Sequence, residues 1–390
     1  MAGTDIDQAL SILKRGVISL VSEEELKKKL ASGRTLRVKL GVDPTSADLH
    51  LGHSVVLSKL RAFQDLGHTA VLIIGDFTTL VGDPSGRDST RPSLTKAEID
   101  ANARTYQDQA FKILDRNRVE VRRNSEWLGP FLAGDILETL KRHTVQQILA
   151  REDFKARIAN KSPLTMLETL YPIFQGQDSV AVRADVELGG NDQLTNLLVG
   201  RKMQQDAGQE AQVALTTPLM VGLDGVKKMS KSYGNYIGLT ETPRDMFGKV
   251  MKISDELMLT YCELLTDADL AAVKAEHPMK AKKDLARRLT AQYHGDEAGR
   301  AELQFFEETF SKKELPTDIP EHRFEPGTIV SAMIAEISGQ SKNQARRLIE
   351  QGGVRMDGEK VLKDSPVEVP GTFVLQIGKH TFARIILLKK

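Results

Sequence analysis

Three short stretches of this sequence carry side chains whose types and spacing can do chemistry. His50-Leu51-Gly52-His53 sets two imidazoles one helical turn apart. Where a helix begins, they would stand beside free backbone N–H groups, a combination that cradles phosphate oxygens. Gly52 between them would let a flat base approach the backbone. The plainer reading is that such histidines only cap or pack. A metal is the third, although no carboxylate or cysteine cluster completes a coordination shell. Lys228-Met229-Ser230-Lys231-Ser232 places two lysines three residues apart among small hydroxyl side chains, so two ammonium groups can swing onto a polyphosphate. A charged surface turn is the alternative. Tyr171, Gln175 and Asp178, at spacings of four and three, share one face if they are helical. A polar face turned to water would look the same, but Ile173, Phe174 and Val180 flank it and point to partial burial. A buried carboxylate needs a donor, and a phenol hydroxyl would be one.

The elements around these stretches read as an α/β fold. Residues 20 to 35 are patterned as a Glu- and Lys-rich helix closed by Ser32 and Gly33. Leu36 to Val42 alternates with the strand period, which puts Lys39 beside Arg37 on the face opposite Leu40, a partly solvated position. Asp43-Pro44-Thr45 breaks that strand, and Val56, Leu60 and Phe63 follow at helical spacing up to Gly67. Ala70 to Ile74, closed by Gly75, suits a parallel strand buried on both faces. Strand, helix and strand make a βαβ unit, whose crevice lies at the carboxyl ends of the strands. Residues 95 to 183 read as a mostly helical insertion. The sheet pattern returns at Val182 to Leu188, halts at Gly189-Gly190-Asn191-Asp192-Gln193, and resumes at Val213 to Val221 before Asp224-Gly225. From 240 to 310 the pattern is helical, with Lys280, Lys283 and Arg287 gathered on one side. Pro316, Pro320 and Pro326 punctuate a linker at 315 to 326. The tail from 327 to 390 holds ten Lys or Arg against six Asp or Glu, a capping box at Ser341 and Gln344, and a hairpin signal at Asp357-Gly358.

The chain has 390 residues, is 40% hydrophobic and 27% charged, and carries a formal net charge of +1, which excludes collagen-like, linker-like and disordered classes. Any polyanion partner must therefore be met by local charge. No apolar run reaches membrane-spanning length, and the first residues lack the basic start and apolar centre of a signal peptide, so a cytoplasmic protein with no membrane partner is expected. The single cysteine, Cys262, can form no internal disulfide and no structural zinc site by itself.

The ordered pair HLGH and KMSKS resembles the signature of the class I aminoacyl-tRNA synthetases, and the whole chain resembles the bacterial tyrosyl enzymes of that family. The resemblance implies a Rossmann-like parallel-sheet catalytic domain over residues 1–225, with the helical insertion at about 95–183. After it would come the KMSKS loop and an α-helical tRNA-binding domain at 226–314, the linker at 315–326, and a small α+β RNA-binding domain at 327–390. Carried over by position, Asp178 would accept the tyrosine hydroxyl, and Tyr171, Gln175 and Asp83 would hold its α-ammonium. Gln193 would lie near the carboxylate, with Gly41 and Asn124 also on the tyrosine side. Asp192 and Gly190 would hold the ATP ribose, while Asp43, Thr45, His50, Gly52 and His53 would line the adenine and phosphate side. Lys228, Lys231 and Ser232 would grip the leaving pyrophosphate, and Arg87 and Arg91 would sit in a closing loop. The implied partners are tRNA(Tyr), L-tyrosine, ATP with its Mg²⁺ and no protein-bound metal, and a second copy of the chain in a homodimer. Many members have a tyrosine two residues before the first-strand glycine, sharing the substrate hydroxyl with the aspartate; this chain has Lys39, which would either point at solvent or pair with Asp178 and adjust its charge. The rival readings are a tryptophanyl enzyme, which shares the fold and both motifs, and a non-catalytic RNA-binding paralogue.

Overall fold

The computed structural model describes residues 5–85, 94–311, 319–378 and 381–387. The chain divides into two compact units, residues 1–303 and 304–390. The first is built on a six-stranded sheet of β1 (Ser19–Val21), β2 (Arg37–Val42), β3 (Thr69–Ile74), β4 (Val119–Arg123), β5 (Val186–Gly190) and β6 (Val213–Thr217), in the order β1-β6-β5-β2-β3-β4. Five strands run parallel, and β1 closes the edge antiparallel to β6. The chain winds from β2 outward through β3 to β4, then returns to β5 on the other side of β2. The strand order therefore reverses between β2 and β5, the place where open parallel sheets leave a ligand crevice. Helices α1 (Leu51–Asp65), α2 (Ser125–Ala133), α3 (Met166–Val182) and α4 (Leu194–Asp206) supply the side chains around that crevice. Both faces of the sheet are covered: Val38, Lys39, Leu40, Val71, Leu72 and Ile73 are all buried.

Three local expectations shift. The helix near the start is Glu23–Ala31, with a capping box between Ser22 and Glu25. The alternating run from Val182 is not strand at its outset: α3 continues through Val182 and stops at Arg183, which takes a left-handed backbone (φ 50), so β5 begins only at Val186. The insertion also contains β4, whose Val119–Arg123 pair in register with Ala70–Ile74.

In the second unit, Glu321–Phe324, Val354–Met356, Glu359–Lys360, Gly371–Ile377 and Thr381–Leu387 form a five-stranded sheet. Val330, Met333, Ile334, Ala345 and Ile349 of two short helices pack into its core. Asp357 and Gly358 both adopt positive φ, as the tight hairpin turn requires. Glu321–Phe324 lies inside the Pro-punctuated stretch, yet it is a strand, paired parallel to the segment from Arg384 to Leu387. The basic side chains of the helix Pro278–His294 have acidic company: Lys280 pairs with Glu276, Lys282 with Asp255, and Arg287 and Arg288 with Asp284. Its predicted basic stripe is thus largely neutralised within the chain.

Candidate active site

A cavity of about 550 Å³ opens at the carboxyl ends of β2, β3 and β5. The HLGH segment forms one wall. His50 is the N-cap of α1, and its Nδ1 accepts from the Gly52 backbone N–H at 3.1 Å, while His53 Nδ1 accepts from the His50 backbone N–H at 3.2 Å. A side chain at position 52 would strike the His50 ring at 2.9 Å, which is why glycine stands there. Because both Nδ1 atoms accept, each imidazole carries its proton on Nε2. Burial, each other's proximity and Lys231 push His50 far below the ordinary imidazole range, and burial with Lys231 pushes His53 down to about 4. The histidines therefore both cap the helix and meet the cavity as neutral donors. The capping reading is met, and the same geometry leaves both Nε2 donors available to a ligand in the cavity.

The lysine pentapeptide forms the facing wall. Buried Met229 anchors it through a 2.7 Å hydrogen bond from its backbone N–H to the Met220 carbonyl. Asn235 braces its base, donating to Asp224 at 2.8 Å and accepting from the Ser230 N–H at 2.8 Å. Lys228, Lys231 and Ser232 line the cavity. Lys231 Nζ reaches across to Ser46 Oγ and Asp48 Oδ2, each at 3.3 Å, so the β2–α1 loop and the pentapeptide meet through an ammonium group. Thr45 lines the cavity from the same loop.

The third wall comes from α3. Tyr171 and Asp178 are buried and Gln175 is half-buried, so the face is turned inward. The Tyr171 hydroxyl donates to Asp43 Oδ2 at 2.9 Å, and Thr78 Oγ donates to Asp43 Oδ1 at 2.7 Å. A Cβ at Gly75 would lie 2.1 Å from that carboxylate, so the strand-closing glycine makes room for it. With its proton committed to Asp43, the Tyr171 oxygen has lone pairs left for a cationic group. Gln175 donates to Glu187 at 3.1 Å and accepts from Asn196 at 3.0 Å, which fixes its amide. Asp83 accepts from Gln193 at 2.8 Å and from the Ser85 N–H at 2.9 Å. Burial raises the Asp192 carboxyl and Asp83 adds to this, while Lys228 opposes them. Gly190 lets the chain turn close to Asp192, which a Cβ there would meet at 2.8 Å. At Gly41 a Cβ would meet nothing, so bare backbone borders open cavity.

Asp178 is a strongly perturbed carboxyl of the site. Burial pushes it up to about 7, against the pull of Lys39 and of hydrogen bonds from Trp127 Nε1 at 2.8 Å and Asn124 Nδ2 at 3.4 Å. Asn124 does not line the cavity. It is wholly buried, bonded to the Phe77 N–H and Thr78, and steadies Asp178 from behind. Lys39 overturns the expectation of partial solvation: it is fully buried and ion-paired with Glu187 at 2.8 Å. The physical reason is the parallel sheet, which leaves no solvent face for an alternating strand to use. Trp127, Thr78, Glu187 and Asn196 went unnoticed in the sequence because their roles arise from contacts between separate elements. Arg87 and Arg91 lie outside the described residues.

The matching family model is that of the tRNA synthetases class I (W and Y), over residues 31–311, and an S4 domain model matches residues 334–374. The chain belongs to the class I tRNA synthetase family of the tryptophan and tyrosine type. Among curated relatives it is similar to the tyrosine–tRNA ligase of Oleidesulfovibrio alaskensis, 49% identical over 98% of this chain and 100% of that one. It is likewise similar to the tyrosine–tRNA ligase of Thermotoga maritima, 48% identical over 97% of each. Its fold resembles that of tyrosyl-tRNA synthetase from Archaeoglobus fulgidus solved with L-tyrosine, with a TM-score of 0.63 at 23% identity, covering 77% of this chain and 100% of that one.

Proposed function

We propose that this chain is a tyrosine–tRNA ligase, which joins L-tyrosine to ATP as tyrosyl-adenylate with release of pyrophosphate and then passes the tyrosyl group to the 3′-terminal ribose of tRNA(Tyr). The observation that supports this most is the convergence of the two histidines, the two lysines and the Tyr171-Gln175-Asp178 face on one cavity at the strand-order reversal. Asp178 accepts the substrate phenol. The Tyr171 oxygen, the Gln175 carbonyl oxygen and Asp83 surround the α-ammonium, and Gln193 sits towards the carboxylate. Asp192 and the bare backbone at Gly190 take the ribose, with Gly52 under the adenine. The tyrosine carboxylate then attacks the α-phosphorus in line, and no covalent intermediate with the enzyme is needed. His50 and His53 donate from Nε2 to phosphate oxygens without adding charge, so Lys228 and Lys231 supply the positive charge that meets the departing pyrophosphate. Mg²⁺ would arrive with ATP. Phosphate oxygens and water would supply most of its shell.

Tyrosine-dependent exchange of labelled pyrophosphate into ATP is the direct test. Exchange driven by tryptophan and not by tyrosine would overturn the substrate, and no exchange with either would leave an RNA-binding paralogue.

The second unit serves tRNA. Its S4-type segment and basic surplus support this, as does the self-neutralised charge of the helix Pro278–His294, which leaves less for that helix to offer. The boundary for a truncation follows from the strand Glu321–Phe324: cutting at 327 would orphan it, so the chain should end at 311. Such a chain is expected to keep pyrophosphate exchange within about twofold while charging of tRNA falls by at least roughly tenfold at moderate salt, through loss of phosphate contacts. Equal loss of both activities would show that the tail instead supports the catalytic unit.

A homodimer through the insertion is supported by the apolar side chains that it exposes, among them Leu137 at 68%, Val145 at 66% and Met166 at 80%. No helix among the described residues is long and apolar enough to cross a membrane.

A further inference from the structure

Behind the cavity, at the strand-order reversal itself, Lys39 of β2 and Glu187 of β5 stand opposite one another in register. Neither is exposed beyond 1%. Every donor of the Lys39 ammonium is used: it gives to Glu187 Oε1 at 2.8 Å, Ser179 Oγ at 2.9 Å and the Gln175 carbonyl at 3.0 Å. Glu187 in turn takes Gln175 Nε2 at 3.1 Å, Ser179 Oγ at 3.0 Å and Gln212 Nε2. Gly200 of α4 leaves space for this cluster, since a Cβ there would meet Gln212 at 2.7 Å and Glu187 at 3.3 Å. Sheet packing alone asks for no ion pair here, because an apolar pair of similar volume at such a position is often as stable or more so. What distinguishes the pair is its neighbours: it grips Gln175 by backbone and side chain, and Asp178 lies on the same helix face.

We propose that Lys39 and Glu187 are positioning residues for the amino-acid end of the pocket, fixing the Gln175 amide and holding one buried positive charge against the Asp178 carboxylate. The inference rests on the reading of Asp178 as acceptor of the substrate hydroxyl. The groups that face Asp178 are Lys39 from β2, Glu187 from β5, Trp127 from α2 and Asn124 just before it, and the Tyr171 phenol on its own helix. Of these, Lys39 favours the ionised carboxylate most strongly, while Glu187 disfavours it. The two members of the pair thus push Asp178 in opposite directions. A merely structural pair would not distinguish them.

The test is equilibrium binding of L-tyrosine to the full chain, without ATP, between about pH 5.5 and 8.5. The free amino acid changes charge little in that range, so a change in affinity reports the pocket. Affinity in the parent should fall as pH drops through about 7, by nearly tenfold per unit well below it. Lys39→Met should move this fall to higher pH and weaken binding at pH 7 by about tenfold or more. Glu187→Gln, nearly isosteric, should move it to lower pH. Opposite displacements support the inference. Displacement of both in one direction, or of neither, overturns it, whatever the melting temperatures do. Should Lys39→Met not fold, Glu187→Gln decides alone, and an unmoved or raised midpoint overturns the inference. Asp178→Asn separates the underlying reading: a fall that persists in this variant overturns Asp178 as the titrating acceptor and the inference with it. A fall abolished in Asp178→Asn but unmoved by the pair variants overturns the pair's role alone.

Discussion

Asp178→Ala is expected to lose most of the enzyme's preference for tyrosine over phenylalanine. Phenylalanine fills the same volume but leaves a buried carboxylate, already short of solvent, without the hydroxyl it would accept. Failing to satisfy such a group costs about 2–4 kcal/mol, roughly 30- to 1000-fold in kcat/KM. Trp127 and Asn124 remain as partial donors, which favours the lower end of that range. Since the carboxyl sits near 7, a lower pH lets it take a proton and tolerate phenylalanine better, so discrimination in the parent should widen from about pH 6 to 8. Comparing kcat/KM for both amino acids in parent and variant decides it. A ratio untouched by the substitution would mean that another group reads the hydroxyl. Lys39, expected from the sequence to sit near solvent, no longer reads as a minor residue here, because it reaches the substrate end through Gln175 and Glu187.

Lys228→Ala and Lys231→Ala should each slow adenylate formation by roughly 10- to 1000-fold, about 1–4 kcal/mol of transition-state stabilisation, while tyrosine binding without ATP changes little. The geometry sharpens the argument. Both histidines are held neutral, so among the described residues the developing charge on pyrophosphate has few other cations to meet. Lys231 is already drawn across the cavity to Asp48, so its approach needs only an exchange of one anion for another. Lys228, by contrast, faces Asp192 on the ribose side. Single-turnover formation of adenylate checks the rate, and equilibrium binding checks the tyrosine side. Matched losses in both measurements would place the lysines at the wrong step.

Much of the site was legible because it is local. Two histidines at a helix start, a lysine pair after a buried strand and a helical 171-175-178 spacing are each decided within a few residues. Of the two readings open for Lys39, solvation rested on alternation, although the continuous apolar run at Ala70 to Ile74 already implied a sheet covered on both sides, and pairing with Asp178 named a different carboxylate from the one it ion-pairs with. Its partner, Glu187, lies 148 residues away, and only the β2–β5 register brings them together. The end of α3 was lost for a different reason. Val180, Val182, Ala184 and Val186 alternate as a strand would, with no glycine or proline at the break, and the turn is made instead by Arg183 in a left-handed conformation. Strand β4 was absorbed into a helical insertion because Val119 and Val121 stand alone among charged residues. Trp127, which approaches Asp178 from α2, carried no signal that sequence spacing could expose.

The burial of Asp178 has a thermodynamic side that concerns the empty enzyme. Its carboxyl ionises near 3.8 in an unfolded chain and near 7 in the folded one. The native state therefore holds an extra proton between those values, and the stability this contributes is complete below about pH 4 and lost as pH rises through 7. At neutral pH and above, the vacant pocket is thus a weak point of the fold, made by the group proposed to read the substrate hydroxyl. On the proposed reading of the pocket, tyrosine would supply a hydroxyl to that carboxyl and restore part of that loss, so the substrate would also act as a folding ligand. A hardier protein could be had by making position 178 neutral, at the expense of choosing the right amino acid.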